Sequence, residues 1–470
     1  MAVHDQILRI RTLDDAGPEL NAVIAYDADA PVTAARLAQT GALRGRTVLV
    51  KDNIETREFP TTAGSLALAD NQTGRDAPLI ANLRAEGGVI LGKTNLSEWA
   101  NIRSNSSTSG WSAVEGLTRN PHAIDRNTCG SSAGSGAAIA AGFAWGAIGT
   151  ETNGSITCPA SVNGIVGFKP SVGIVSRTHI VPISSTQDTA GPMTRTVADA
   201  ALLLTAMAGE DAADPATMGI PRTADYSARL ADYSLEGVRI GVMREQIGSN
   251  EQVAQVFADA LTDLERAGAE LVDIEFEPNG QMYGDSFTVL LFELREEIGK
   301  YLRSIPAFAG NETPRSLADL IAFNTANADT EMRWFDQDIF EQAEATTDRA
   351  AYETARENAV RIAGEETLDM LFETYDVQFL VAPTRGPAWM SDLALGDHFN
   401  GSIGFGSPAA IAGYPHLTVP MGAVEQLPVG ISFFGAKWAD HDVLKLGAAY
   451  ERARTTELPT PSFRKWQPVD

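Results

Sequence analysis

The chain has 470 residues, of which 44% are hydrophobic and 21% charged, a composition typical of a globular protein with a large core rather than of a disordered or fibrous one. Its formal net charge of -25 at pH 7 argues against a nucleic-acid partner, because binding to phosphates requires a basic surface. The two cysteines, Cys129 and Cys158, exclude a framework of several disulfides, favour a reducing compartment and leave one bridge possible.

The N-terminal segment "MAVHDQILRI" lacks the basic start and apolar stretch of a secretory signal peptide. The longest weakly polar run, "GAAIAAGFAWGAIG", is shorter than the roughly 20 residues that cross a bilayer. We therefore expect a cytoplasmic protein without a membrane partner.

The first elements along the chain follow a strand and helix rhythm. Residues 5 to 40 have helical periodicity, which Pro18 and Pro31 interrupt. The segment "GRTVLVKDNIE" then predicts a buried strand from Thr47 to Val50 that ends at Lys51. The next segment, "DAPLIANLRAEGGVILGKTN", predicts a helix, a Gly-Gly stop and another strand. This order is that of a βαβ unit.

A long loop region and two serine clusters come next. From Asn101 to Gly136 the chain is rich in Ser, Asn, Gly and Thr, which is typical of loops that carry function. A small-residue helix, "SGAAIAAGFA", a short strand, "WGAIG", and a loop, "TETNGSITCPA", follow. A ten-residue helix is about 15 Å long, and a returning strand covers a similar length. Ser131 and Ser155 can therefore lie at the same edge of a sheet although 24 residues separate them.

The rest of the chain alternates between predicted strands and helices. The strands are "VRIGVM", "AELVDIEF", "VQFLVAP", "HLTVP" and "VGISFFG". Helices are predicted at 250–268, 286–303 and 440–454, and in a long polar run at 329–374. The alternation predicts an α/β fold with a large mixed, mostly parallel β-sheet that helices cover on both faces.

Two familiar motifs fail to explain the serine-rich segment "CGSSAGSGAA". Its first glycines satisfy the G-x-S-x-G pattern of the α/β-hydrolase elbow, which would make Ser132 the nucleophile. The preceding "NPHAIDRNTC", however, is polar and contains proline, unlike the strand that the elbow requires. The segment also lacks the Gly-Lys-Ser/Thr end of a phosphate-binding loop.

Segments spread in order over most of the chain resemble the amidase signature family, whose hydrolases use a Ser-Ser-Lys triad. They are "VLVKDNIET", "GKTNLSEWA", "LTRNPH", "CGSSAGSGAAIAAG", "GTETNGSITCPASVNGIVGFKPSVGIVS", "QDTAGPMTRTVADAA", "IAGYPHLTVPMG" and "PVGISFFG". The resemblance implies an amidase-signature fold in a single domain, 1–470, with a signature core at 45–205 and a helical, sheet-completing part at 235–470. It also implies that Ser155 is the acyl-accepting nucleophile, Ser131 the bridging serine on a cis peptide bond, and Lys51 the base.

The chemistry of these side chains suits the implied roles. A serine hydroxyl becomes a good nucleophile when a base takes its proton, and a lysine is a base when desolvation lowers its pKa. A second hydroxyl donates and accepts at once, so it can relay the proton. The oxyanion of the tetrahedral intermediate is expected to accept hydrogen bonds from backbone N–H groups. The candidate donors are Thr152, Asn153, Gly154 and Ser155.

Further residues are assigned around the triad. We expect Ser132 and Thr150 to support the relay by hydrogen bonds, and Asp188 to organise loops near the site. Trp111 is a candidate wall of the substrate pocket because its sequence neighbours are polar. No His/Cys/Asp cluster has the spacing of metal ligands, so the sequence predicts neither a metal nor a cofactor.

The residues around the nucleophile bear on the substrate. Where much of the family has Gly-Gly-Ser-Ile-Arg, this chain ends the motif with Thr157, a pocket candidate that disfavours a free acid beside the scissile amide. The variant "GTETNGSITCPA" with "QDTAGPM" most resembles peptide amidases, which hydrolyse the C-terminal carboxamide of peptides to acid and ammonia. That subfamily has Asp in place of Asn153, and we expect Asn153 to alter the leaving-group or pH preference while the mechanism is unchanged.

Three other functions are compatible with the sequence. An amidase of aryl acylamides or of aliphatic or fatty amides would differ only in pocket residues. A glutaminase subunit of a tRNA amidotransferase would need partner subunits, and Thr157 counts against it. A non-catalytic binding protein would be expected to lose part of the triad, and all three residues are present. The expected partner is a small-molecule or peptide amide, and the oligomeric state is left open.

Overall fold

The computed structural model describes residues 2–309, 312–399 and 403–468. In these ranges the strands are β1 (Val23–Tyr26), β2 (Thr47–Lys51), β3 (Val89–Thr94), β4 (Trp111–Ser112), β5 (Gly116–Leu117), β6 (Gly146–Glu151), β7 (Val166–Lys169), β8 (Thr189–Thr194), β9 (Arg239–Met243), β10 (Glu270–Ile274), β11 (Phe379–Pro383), β12 (His416–Val424) and β13 (Leu427–Gly435).

The α-helices of the same ranges are α1 (Val3–Arg9), α2 (Ala30–Leu37), α3 (Pro78–Ala85), α4 (Ala133–Ala140), α5 (Thr157–Val162), α6 (Val197–Met207), α7 (Glu251–Arg266), α8 (Gln281–Ser304), α9 (Leu317–Ala326), α10 (Ala328–Glu331), α11 (Asp338–Ala345), α12 (Arg349–Ala363), α13 (Met370–Thr374), α14 (Gly406–Ala412) and α15 (Asp440–Ala453). Short 3-10 segments lie at Leu66–Leu68, Glu98–Asn101, Pro215–Thr217 and Arg244–Ile247, and π-helical segments at Ile10–Asp14 and Gly364–Asp369. Within the described ranges, no helix combines the length and the apolar character needed to span a bilayer.

Eleven of these strands form one mixed sheet in the order β1-β3-β2-β6-β8-β7-β12-β13-β11-β9-β10. The pairs β2–β3, β2–β6, β9–β11 and β9–β10 are parallel, and the other six neighbouring pairs are antiparallel. The predicted α/β class and mixed sheet are confirmed, but the prediction that the sheet is mostly parallel is wrong. The reason lies in its centre, where β7, β8 and the hairpin of β12 and β13 add antiparallel pairs.

Both faces of the sheet are buried, as the sequence predicts. Val48 and Val50 of β2 belong to a core cluster that includes Leu83 of α3. Leu49, which points to the opposite face, belongs to a second cluster that includes Ala137 of α4. All of these side chains are fully buried, so helices cover this part of the sheet on either side.

Most predicted elements occur where expected, with informative exceptions. The buried strand that ends at Lys51, the helix and strand after it, and the five later strands are all present. The helical periodicity of residues 5–40 conceals β1, which becomes a strand because it pairs with β3. The long polar run at 329–374 is divided among α10, α11, α12 and α13.

The topology brings the serine clusters to one edge of the sheet. Val50 pairs with Ile148 in the parallel ladder of β2 and β6, so Lys51 and Glu151 end neighbouring strands at the same edge. The N–H of Ser132, which precedes α4, donates a 3.1 Å hydrogen bond to the carbonyl oxygen of Ser155. The predicted meeting of the two serine loops is confirmed.

Candidate active site

Lys51 is a fully buried amine at the end of β2. Its Nζ lies 2.7 Å from Oγ of Ser131, 2.8 Å from Oγ1 of Thr150 and 3.2 Å from the carbonyl oxygen of Thr150. Burial lowers the pKa of Lys51 to about 7, although the negative charges of Asp188 and Glu151 oppose this shift. A substantial fraction of the amine is therefore neutral near pH 7, and in that form it can accept a proton from Ser131.

Ser131 is fixed by a tight loop. The Gly130–Ser131 peptide bond is cis, as the family resemblance implies. The carbonyl oxygen of Ser131 accepts a 3.0 Å hydrogen bond from the N–H of Ser97. A Cβ on Gly130 would lie only 2.1 Å from Oγ of Ser97, so any larger residue here would have to displace that hydroxyl. Ser131 itself is fully buried, with its hydroxyl directed to Lys51.

The two predicted supporting residues join the strand to the serine loop. Oγ of Ser132 donates a 3.1 Å hydrogen bond to the carbonyl oxygen of Thr150 and lies 3.2 Å from the N–H of Thr150. Oγ1 of Thr150 accepts a 2.9 Å hydrogen bond from Nδ2 of Asn53. Ser132 thus fixes the backbone of Thr150, whose hydroxyl and carbonyl oxygen both contact the amine of Lys51.

The turn that carries Ser155 is organised by the buried carboxylate of Glu151. Oε2 of Glu151 accepts hydrogen bonds from the N–H of Ile156 at 2.8 Å, the N–H of Thr157 at 3.0 Å and Oγ1 of Thr157 at 3.2 Å. A carboxylate at this place also faces the positive end of α5. Glu151 fixes the first residues after Ser155.

The backbone before Ser155 is open to a ligand. Gly154 has φ of +83°, and a Cβ built on it would meet no atom within 4 Å. Within the described ranges, the N–H groups of Thr152, Asn153, Gly154 and Ser155 donate no hydrogen bond to the protein. All four predicted oxyanion donors therefore have no acceptor among the described residues, and the last of them belongs to the half-buried Ser155.

Asp188 ties the side chain of Thr152 to a neighbouring loop. Its Oδ1 accepts a 2.6 Å hydrogen bond from Oγ1 of Thr152, and its Oδ2 accepts 2.8 Å hydrogen bonds from the N–H groups of Ile183 and Ser184. Burial raises the pKa of Asp188 to about 6, while these hydrogen bonds act in the opposite direction. This arrangement agrees with the expected loop-organising role of Asp188.

A cleft of about 210 Å³ opens above the two serine loops. Its lining in the described ranges consists of Ala100, Asn101, Ile102, Ser109, Cys129, Gly130, Thr152, Asn153, Gly154, Ser155, Cys158, Ile183, Leu290, Arg385 and Phe399. Because Ser155 and the free N–H groups line it, the cleft can bring an acyl group to the hydroxyl of Ser155.

The two residues predicted to line the pocket lie elsewhere. Trp111, which is 6% exposed, packs edge-on against Phe335 with ring centroids 5.2 Å apart. Thr157 is 2% exposed, and its hydroxyl is bonded to Glu151. Trp111 and Thr157 are not among the described residues that line this cleft, because tertiary packing uses both side chains, and their contact with substrate stays a prediction.

The single bridge that the sequence left possible is present between Cys129 and Cys158. Cys129 directly precedes Gly130, and Cys158 lies in α5 just after the turn of Ser155. The disulfide therefore connects the loop of Ser131 to the helix that follows Ser155. The reducing compartment, which was inferred from the low cysteine count, stays an expectation.

Three residues of the site were missed by the sequence reasoning, namely Asn53, Ser97 and Glu151. Glu151 had a usable signal, since a carboxylate shortly before a helix is favoured by the helix N-terminus. Asn53 meets Thr150 and Ser97 meets Gly130 only in the folded chain, so no local pattern marks these contacts. In the described ranges, no group of three or more His, Cys, Asp or Glu side chains could hold a metal ion.

Comparisons with known proteins agree with this geometry. The amidase family model matches residues 9–444. A probable amidase of Arabidopsis thaliana is 34% identical over 478 residues, which cover 97% of this chain and 87% of that protein. The structure of the native peptide amidase from Stenotrophomonas maltophilia aligns with a TM-score of 0.90 and 44% identity, covering 98% of this chain and 94% of that one.

A structure of the peptide amidase PAM with the competitive inhibitor chymostatin aligns with a TM-score of 0.92 and 45% identity, covering 98% of this chain and 95% of that one. The family match spans the strands and loops that form the site, from Lys51 to Ser155 and beyond. The chain therefore belongs to the amidase signature family and is an amidohydrolase.

Proposed function

We propose that the chain hydrolyses the C-terminal carboxamide of peptides through an acyl-enzyme on Ser155, with Ser131 as the proton relay and Lys51 as the base. The observation that carries the proposal is the 2.7 Å separation between Nζ of Lys51 and Oγ of Ser131. It joins a desolvated amine to a hydroxyl whose loop contacts the nucleophile turn through Ser132 and Ser155.

In the acylation step, Oγ of Ser155 attacks the carboxamide carbon. Its proton passes to Ser131 as the proton of Ser131 passes to neutral Lys51. The oxyanion is stabilised by the backbone N–H groups of Asn153, Gly154 and Ser155. When the C–N bond breaks, the nitrogen takes the proton back from Lys51 through Ser131 and leaves as ammonia.

Deacylation uses the same relay for water. A water molecule gives a proton to the relay and attacks the acyl carbon, and the second tetrahedral intermediate releases Oγ of Ser155 as the relay returns the proton. The products are a carboxylic acid and the free enzyme. Lys51 thus alternates between neutral and charged forms in each half-reaction, which suits a pKa of about 7.

The peptide substrate class is supported by the similarity to the peptide amidase of Stenotrophomonas maltophilia over nearly the whole of both chains. A Cβ built on Gly154 would meet no atom within 4 Å, so the cleft has room for substrate beside the backbone that precedes Ser155. Aryl acylamides and fatty amides are the alternatives that an assay has to separate from peptide amides.

The test is ammonia release from peptide C-terminal amides, measured beside the hydrolysis of aryl acylamides and fatty amides. Peptide amides should give the highest kcat/KM, and Ser155→Ala and Lys51→Ala should each lose at least about 10⁴-fold in kcat. Full activity of Ser155→Ala would contradict the triad. Faster hydrolysis of an aryl or fatty amide would contradict the peptide substrate class and leave the triad intact.

A further inference from the structure

Arg385 brings a positive charge into an otherwise uncharged cleft. It follows β11 and lies on the wall of the cleft whose floor contains Gly154 and Ser155. Of the described residues that line this cleft, it is the only one with a charged side chain. In a chain of net charge -25, a cation at this place makes the local field differ from that of the whole protein.

The guanidinium of Arg385 stacks on an aromatic ring and forms no close ion pair with another described residue. Its Cζ lies 4.7 Å from the ring centroid of Phe399, and that ring packs edge-on against Trp389 with centroids 4.8 Å apart. In the described part of the chain, the interactions of the guanidinium are this stacking and the through-space attraction of Asp397. None of its five N–H donors forms a hydrogen bond to another described residue.

Asp397 is hydrogen-bonded to Ser109. Its two carboxylate oxygens accept hydrogen bonds from the N–H of Ser109 at 3.0 and 3.2 Å, and one of them also accepts from Oγ of Ser109 at 2.5 Å. Asp397 therefore contributes a nearby negative charge but leaves the donors of Arg385 free. A partly desolvated guanidinium in this state is best satisfied by a carboxylate, which can accept two parallel N–H bonds.

We propose that Arg385 determines specificity by binding a carboxylate in the acyl portion of the substrate, so that the enzyme favours peptide amides with an acidic side chain in the C-terminal residue or the residue before it. This inference rests on the proposed function. It also revises the expectation from Thr157, since the positive charge missing there is supplied to the cleft by the segment that follows β11.

The experiment measures binding without turnover. The Ser155→Ala protein is titrated with two matched pairs of N-acetylated peptide amides, one pair with Glu or Gln in the C-terminal residue and one with Glu or Gln in the preceding residue. We expect at least about tenfold tighter binding of Glu in one of the pairs. A second substitution, Arg385→Gln, should abolish that preference, Arg385→Lys should keep part of it, and Arg333→Gln should keep all of it.

Arg333 is a matched control because it is an exposed arginine that also stacks on an aromatic ring, 4.8 Å from the centroid of Trp334. Equal binding of Glu and Gln in both pairs overturns the proposal, as does an equal loss for both members of a pair in Arg385→Gln. Hydrolysis by the unmodified enzyme is followed separately. If it releases no ammonia from any of the four amides, the proposed function fails, while the binding preference still decides the role of Arg385.

Discussion

The amine of Lys51 lies 2.7 Å from the hydroxyl oxygen of Ser131, inside a core that gives neither group access to bulk water. Burial favours the neutral amine, whereas the carboxylates of Asp188 and Glu151 favour the charged form. The site therefore contains opposing influences that set the pKa of Lys51 near neutrality. Asp188 and Glu151 also hold the loops around Ser155, so geometry and proton affinity are linked.

The first prediction concerns the pH dependence of activity. Only the neutral amine accepts a proton, so kcat/KM should fall about tenfold per unit as the pH drops below about 7, the pKa of Lys51. Asp188→Asn removes a negative charge that raises this pKa and should move the acidic limb to lower pH by up to about one unit. The measurement is the pH–rate profile of both proteins.

The control for that shift is Asp376→Asn, because the side chain of Asp376 is 95% exposed. This variant should have the profile of the unmodified enzyme. An acidic limb that stays in place in Asp188→Asn would show that Asp188 does not influence the protonation of Lys51.

The second prediction tests the role of Glu151 in positioning the nucleophile. Glu151→Gln replaces a carboxylate that accepts three hydrogen bonds, and its amide nitrogen would occupy the place of an oxygen that has no partner in the described residues. A buried amide N–H without an acceptor is costly, so the side chain should move and displace the turn of Ser155. This misplacement of Ser155 should lower kcat by roughly 10- to 100-fold with little change in KM. Steady-state kinetics check this, with the exposed Glu353→Gln as the control; an unchanged kcat would refute it.

The sequence predicted the elements with clear local patterns and the residues with distinctive chemistry. Apolar β2, the Gly-Gly stop before β3 and the serine loops were visible, and so was a lysine at the end of a buried strand. It did not reveal β8, because Gly191 and Pro192 are unusual in a central strand and only pairing with β6 and β7 explains it. The sequence did not indicate a role for Arg385 for a similar reason, because its stacking on Phe399 occurs only in the folded chain.

The third prediction compares the two glycines of the serine loops. Gly130→Ala should abolish activity because the new Cβ would lie 2.1 Å from Oγ of Ser97. Gly154→Ala has free space, so its main effect is the positive φ, which costs roughly 1–2 kcal/mol of unfolding free energy. Activity and chemical denaturation should be measured for both. Ser97→Ala combined with Gly130→Ala should recover part of the activity, and no recovery would argue against this contact as the cause.

The fourth prediction addresses the disulfide of Cys129 and Cys158, which are 29 positions apart in sequence. Loop-closure entropy for a span of this size predicts that replacing both cysteines with alanine lowers the free energy of unfolding by about 3–4 kcal/mol. Denaturant unfolding of the unmodified protein with and without a reductant should give a similar difference. The double variant should be insensitive to the reductant. Coincident unfolding curves for the oxidised protein and the double variant would show that the bridge contributes nothing to stability.

The fifth prediction concerns Asn153, which is exposed at the rim of the cleft and whose amide lies within 3.3 Å of Oγ of Ser407. Asn153→Asp would place a negative charge beside the N–H groups that are proposed to bind the oxyanion. We expect kcat/KM to fall by about two- to tenfold once the new carboxyl ionises above pH 4 or so, and salt should weaken the effect because the position is exposed. The same charge should raise the pKa of Lys51 and move the acidic limb to higher pH.

Asn153→Ser is the neutral control for this prediction. Superimposable pH–rate profiles of Asn153→Asp and the unmodified enzyme at low ionic strength would exclude an electrostatic role for this position.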